Sequence, residues 1–142
     1  MEPNNRTERK TMDIKAIRDA RKAYETAIEK AADSLEGMLK AAIKNTEGVT
    51  AIRWCQYTPY FNDGDACIFG VGDFYIKLDG DDTAGDYNDG FQYMYAIKDE
   101  KIKKLYDELC SIPSDVFELA FGDHVEVTVT ATDVTVDEYQ HD

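Results

Sequence analysis

Along the first third of the chain, apolar residues return in steps of three and four. Ile17, Ala20, Tyr24, Ala27/Ile28, Ala31, Leu35, Met38/Leu39 and Ala42/Ile43 trace one stripe on a helix. Ala is frequent and Pro is absent from Asp13 to Asn45, so propensity agrees with the pattern. The spacing predicts a helix over these residues, roughly 50 Å long, weakened only at Gly37. Residues 1–11 are polar and charged and read as a flexible leader, and Met12 offers a second start directly before the helix. A single domain is expected over 12–142.

Beyond Gly48 the period changes to two. Ile52 and Trp54 alternate with Val49, Ala51 and Arg53 through Tyr57, which predicts a strand. Residues 66–78 read as a second, longer strand, with Gly70 and Gly72 marking a bulge or a close backbone approach. The Pro and Asn-Asp-Gly chemistry of residues 58–65 makes the connection a turn. Residues 79–90 are a loop by composition, and Phe91, Tyr93 and Tyr95 alternate as a short strand. Ile102, Leu105, Tyr106 and Leu109 share one face of a helix over 98–111. Ser114 can cap a short helix to Ala120, stopped by Gly122. Val125, Val127 and Val129, followed by Val134 and Val136, alternate as a terminal hairpin with one wet face. The expectation is an α+β fold: a long N-terminal helix and a single antiparallel sheet of four or five strands, with one or two further helices packed on it.

With 43% hydrophobic and 11% aromatic residues, the chain has enough apolar material for a real core. Its net charge of −13 therefore sits on a folded surface. That charge is lopsided. The first 44 residues hold ten bases and eight acids; the other 98 hold six bases and 21 acids. From Leu105 to Asp142 there is no Lys or Arg. Such a field repels nucleic acid and acidic membranes and attracts basic surfaces, commonly those that bind nucleic acid. The Lys98–Lys104 run is the solvated face of a helix. No direct nucleic-acid contact and no membrane association is expected.

Cys55, Cys67 and Cys110 are odd in number and widely spaced, which argues for reduced thiols in a cytosolic protein. No apolar run resembles a signal peptide or a membrane span. The Asp-rich loop invites a calcium reading, but counted from Asp79 an EF-hand would need Gly at position six and Glu at position twelve. Those places hold Ala84 and Gly90. Neither a metal nor a cofactor is expected. His124, in a strand, and His141 stand near no nucleophile in sequence; folding could still bring together a Cys–His pair such as Cys67/His124, but His124 reads as a residue on the wet face of its strand. No catalytic residue is assigned.

The block Ile52-Arg-Trp-Cys-Gln-Tyr-Thr-Pro-Tyr-Phe-Asn-Asp-Gly-Asp-Ala-Cys-Ile-Phe69 and the endings Gly122–Thr130 and Glu138–Asp142 resemble a family of small uncharacterised proteins of tailed bacteriophages. The resemblance implies a phage origin and an accessory role in the cytoplasm of an infected bacterium. It brings no catalytic residue with it. The expected function is inhibition of a basic host protein that binds nucleic acid, for example in CRISPR defence, restriction or transcription. Asp79, Asp81, Asp82, Asp86 and Asp89, with Asp133, Asp137 and Glu138, would stand in for DNA phosphates, and Tyr60 and Phe61 would anchor the contact. One alternative is a nucleotide-signal binder, with the aromatic loop of residues 58–65 and Gly70 and Gly72 forming the pocket and Arg53 and Lys77 meeting phosphates. The other is a virion or assembly component. An uncovered helical stripe implies a homo-oligomer, most simply a dimer, with Ile17, Tyr24, Ile28 and Leu35 in its interface.

Overall fold

The computed structural model describes residues 4–60, 64, 66–80 and 89–140, with side chains from Asp13 onward. One helix, α1 (Asn4–Asn45), runs 42 residues without interruption at Gly37. It is roughly 60 Å long. The segment expected as a leader is thus helical from Asn4.

The apolar stripe of α1 divides into two parts. Ala32, Leu35, Leu39 and Ile43 are buried, with Leu35 only 1% exposed. Those steps of three, four and four follow a straight helix of 3.6 residues per turn, so Ala31 and Met38 rotate out to solvent. Leu35 therefore belongs to the chain's own core, which corrects its expected place in an oligomer interface. Ile28 is half-buried, while Ile14, Ile17 and Tyr24 are exposed on the same stripe. The N-terminal half of α1 is an arm beyond the body. The Tyr24 hydroxyl marks where it leaves, donating to the Asp115 carboxylate at 3.1 Å.

The body is one antiparallel sheet with helices on one face. Strand β1 (Val49–Tyr57) is central. It is flanked by β2 (Gly70–Val71) and β3 (Tyr75–Leu78) on one side and by β5 (Val125–Thr130) on the other. The outer strands are β4 (Gln92–Tyr93), paired with β3, and β6 (Val134–Glu138), paired with β5. The order is β4-β3-β1-β5-β6, with β2 pairing β1 off this path.

Two strand expectations need correction. The stretch 66–78 is not one strand but β2 and β3, with residues 72–74 unpaired between them. Gly72 is the first residue of the break. Its N–H reaches the Cys55 carbonyl at 2.7 Å. A Cβ there would lie 3.1 Å from the same oxygen, so the close approach read from the sequence falls at Gly72 and not at Gly70. Phe91, Tyr93 and Tyr95 also do not form one alternating strand, because Met94–Ala96 turns into a 3-10 helix behind β4.

Helix α2 (Glu100–Ser111) begins where Asp99 accepts hydrogen bonds from the N–H groups of Lys101 and Ile102. Helix α3 (Ser114–Phe121) follows Pro113, which has no side chain able to cap, so Ser114 lies inside the helix. Gly122 ends it at φ 94°, a conformation only glycine adopts without strain.

At the centre of the core, Trp54 meets Phe74, Phe117 and Phe121 edge-on at 5.4, 5.5 and 5.7 Å. Beside it lies Gln56, fully buried. Its amide nitrogen donates to the Phe117 and Gly122 carbonyls at 2.9 and 2.7 Å, and its oxygen accepts from the Trp54 indole at 2.8 Å. Replacing it with Leu would strand an indole N–H and a helix-end carbonyl away from water. We expect Gln56→Leu to cost about 3 kcal/mol of unfolding free energy, read by urea titration followed through Trp54 fluorescence. A loss under about 1 kcal/mol would show that the amide is dispensable.

Candidate binding face

Period-two alternation sends Ile52, Trp54 and Gln56 of β1 into the core and Ala51, Arg53, Cys55 and Tyr57 to the other face. Ile76 of β3 and Val127 and Val129 of β5 point inward in the same way. No helix of the described residues packs its core side chains on the opposite face, which is tiled instead by long polar and aromatic side chains.

Arg53 organises the centre of that face. Its Nε donates to Thr128 Oγ1 at 2.9 Å and lies 3.6 Å from Glu126 Oε1. Its guanidinium stacks over the Phe91 ring at 4.1 Å, with the Lys77 ammonium 5.9 Å from the same ring. Phe91 is buried by this arrangement although it lies on the open side. Aromatic pairs extend the tiling: Tyr75 against Tyr93 at 4.8 Å, Tyr93 against Tyr95 at 5.1 Å, and Tyr57 against Tyr139 at 5.6 Å. The hydrogen bond to Tyr93 raises the Tyr75 phenol above its ordinary range, and burial adds to the shift.

At one end of β1 a second cluster forms. Asp123 accepts from the Thr58 N–H and hydroxyl at 2.8 and 2.7 Å and from the His124 N–H at 2.8 Å. Burial alone would raise its carboxyl. The hydrogen bonds from Thr58 and His124 outweigh that and hold it below the usual value. His124 is not within the strand, as expected, but one residue before it at φ 55°. Its ring stacks on Tyr60 at 5.0 Å and its Nε2 lies 3.7 Å from Asp123. Tyr60 is thus an exposed ring held in place, at 64% exposure. The link between Tyr60 and His124, distant in sequence, carried no sequence signal.

The expected acidic residues do not gather in one place. Asp79 and Asp89 are exposed at the β3–β4 end of the sheet. Asp133, Asp137 and Glu138 are exposed at the β6 edge. Three strand spacings separate β3 from β6, about 14 Å. Asp81, Asp82, Asp86 and Phe61 lie outside the described residues. Among the described residues, no three His, Cys, Asp or Glu side chains come together as a metal site. No described helix is long and apolar enough to cross a membrane.

A cavity of about 600 Å³ lies on the helix side between Gly70–Phe74 and the α2–α3 corner. Gly70 and Gly72 do line it, together with Asp73, Tyr106 and Cys110. Arg53 and Lys77, however, are across the sheet. The cavity thus has a carboxylate where a nucleotide would need cations, and the two bases expected to meet phosphates do not reach it.

Comparison with protein-family models, with curated proteins and with solved structures gave no match.

Burial pushes the Cys55 thiol up, to about 11, and the Glu126 carboxylate beside its Sγ at 3.7 Å adds to the shift. Below that value it stays a thiol, which is a poor nucleophile. Iodoacetamide at neutral pH should therefore modify the exposed Cys67 and Cys110 and spare Cys55. Glu126→Gln should speed labelling of Cys55. Mass-mapped labelling of Cys55 as fast as Cys67 would contradict this account.

Proposed function

We propose that this chain is a non-enzymatic binding protein of phage origin. It docks its acidic body on the basic, nucleic-acid-binding surface of a bacterial host protein and inhibits that protein. The observation that carries the reading is the segregation of charge. Asp107 and Glu108 on α2, Asp115 and Glu118 on α3, and Asp133, Asp137 and Glu138 at β6 are all exposed. No base follows Lys104 to neutralise them. The bases nearest them on the same elements are Lys101, Lys103 and Lys104 at the start of α2, so the acid excess is greatest on α3 and β6, and such an excess sets up a field that steers a basic partner. The β6 end of the sheet is favoured over the β3–β4 end, where Lys77 and Arg53 lie closer. The exposed, braced ring of Tyr60 suits an interface anchor. The nucleotide-binding alternative is weakened by the separation of the cavity from Arg53 and Lys77.

The test is capture of host proteins on the immobilised chain. Basic proteins should be retained, released by DNA, and lost when salt is raised from about 0.1 M to about 1 M, which shortens the screening length from about 10 Å to about 3 Å. Asp137→Lys combined with Glu138→Lys should reduce retention. Neutral partners that stay bound at high salt would overturn the reading.

A second reading concerns assembly and rests on the arm. Ile14, Ile17 and Tyr24 continue the buried stripe of α1 into solvent, 62%, 65% and 51% exposed. We assign a second copy as the occupant, in an antiparallel pair of arms. Arg18 and Glu25 flank the stripe on one side, seven residues apart, so each would face its opposite in the other copy. A parallel pair would instead bring Arg21 against Arg21. Ile17→Glu with Tyr24→Glu should give folded monomers by sedimentation, while the unmodified chain sediments as a dimer. A monomeric unmodified chain at high micromolar concentration would dismiss the pair.

A further inference from the structure

Strand β6 is the last in the sheet, and no strand of the described residues pairs with its outer side. Its hydrogen-bonding phase is fixed at both ends. The Thr130 N–H donates to the Asp133 carbonyl, and the Tyr139 N–H donates to the His124 carbonyl, each at 2.8 Å. In an antiparallel ladder these groups alternate. Asp133, Thr135, Asp137 and Tyr139 therefore turn N–H and C=O toward β5. Val134, Val136 and Glu138 turn theirs outward, and they form a free edge of three donor–acceptor pairs about 7 Å apart.

Exposed edges are ordinarily blunted by proline, a bulge, lysine or a covering helix. β6 has no proline, glycine or lysine, and its register with β5 is continuous over five residue pairs. It carries only acids. Asp137 stands on the open face beside Glu126, and Asp133 and Glu138 sit at the ends. On the helix side, Val136 faces the fully buried Val127 yet remains 45% exposed. An apolar side chain on an added strand would cover it. A second copy of β6 is a poor occupant, because two edges bearing only acids would be brought together. The other sheet edge, β4, is two residues long and runs straight into a 3-10 helix.

We infer that the outer edge of β6 is a docking strand for an extended basic segment of a partner protein, with apolar residues alternating with Lys or Arg. The segment adds a strand to the sheet. Its backbone pairs with Val134, Val136 and Glu138, its apolar residues cover Val136, and its bases meet Asp133 and Asp137. The acids then act selectively: they repel a like edge and admit a basic one. This inference rests on the reading of the acidic body as a partner-binding surface, and it names the element and the kind of chain that binds.

The probe is a short capped peptide alternating valine with lysine. A control has the same sequence and charge but is N-methylated at every second residue, so that its pairing edge is blocked. The unmethylated peptide should bind, and amide exchange should slow at Val134, Val136 and Glu138 but not at Thr135 or Asp137, whose N–H groups already bond to β5. The methylated control should bind at least about tenfold more weakly, as expected for lost backbone hydrogen bonds. Val136→Pro removes one outward N–H and leaves the β5–β6 ladder intact. It should weaken the peptide while leaving the melting temperature close to that of the unmodified chain. Equal binding of both peptides, with loss on Asp137→Lys, would overturn strand addition and leave only charge attraction to a basic partner. No binding of either peptide at low salt would overturn both.

Discussion

One buried side-chain amide holds the two layers of this domain in register. Gln56 is surrounded by Trp54, Phe117 and the end of α3, where a polar group without partners would be costly. Its three bonds leave neither its own groups nor the indole N–H unmet. Because two of them reach the carbonyls of Phe117 in α3 and of Gly122 just past its end, β1 is tied to the C-terminus of α3, where Gly122 takes its positive φ. The position of α3 in turn decides which part of α1 is covered. The core residues of α1 begin at Ala32, and Tyr24, further toward the N-terminus, still bonds to Asp115 of α3. The arm is the part of α1 that extends past this contact between helices and sheet.

Much of this architecture was legible in the sequence, for a physical reason. Alternation at Ile52, Trp54 and Val127, Val129 is local, and the stripe on α1 is local, so both could be read without tertiary knowledge. What escaped was everything that depends on residues distant in the chain. Gly72 was marked as special, yet that it splits a strand requires the Cys55 carbonyl opposite it. Leu35 and Ile17 look alike on a helical projection. Only the packing of α3 shows that one is core and the other solvent-facing. The candidate site was less readable still. The acids were visible, but strand order decides that Asp79 and Asp137 lie at opposite ends of the sheet. Arg53 was read as a base available to phosphate. Thr128, Glu126 and Phe91 occupy it instead, and all three are more than 35 residues away in sequence.

The two faces of the sheet are built on different principles. The helix side is closed by shape, with aromatic rings edge to edge around Trp54. The open side is closed by pairing, with each long side chain laid on a neighbour: Arg53 on Phe91, Tyr75 on Tyr93, Tyr57 on Tyr139. Such a face keeps its cations engaged and offers water mostly rings and hydroxyls. Glu126 is engaged by Arg53, and exposed carboxylates stand at the margins of the sheet, as at Asp133, Asp137 and Glu138.

The uninterrupted course of α1 has an electrical consequence. A helix with a surplus of bases projects from a body with a surplus of acids, so the molecule carries a large permanent dipole along its longest dimension. In the field of a positively charged surface it would rotate before contact, body foremost and arm trailing. Orientation would then be selected at a distance, within roughly a Debye length, before any side chain touches its partner.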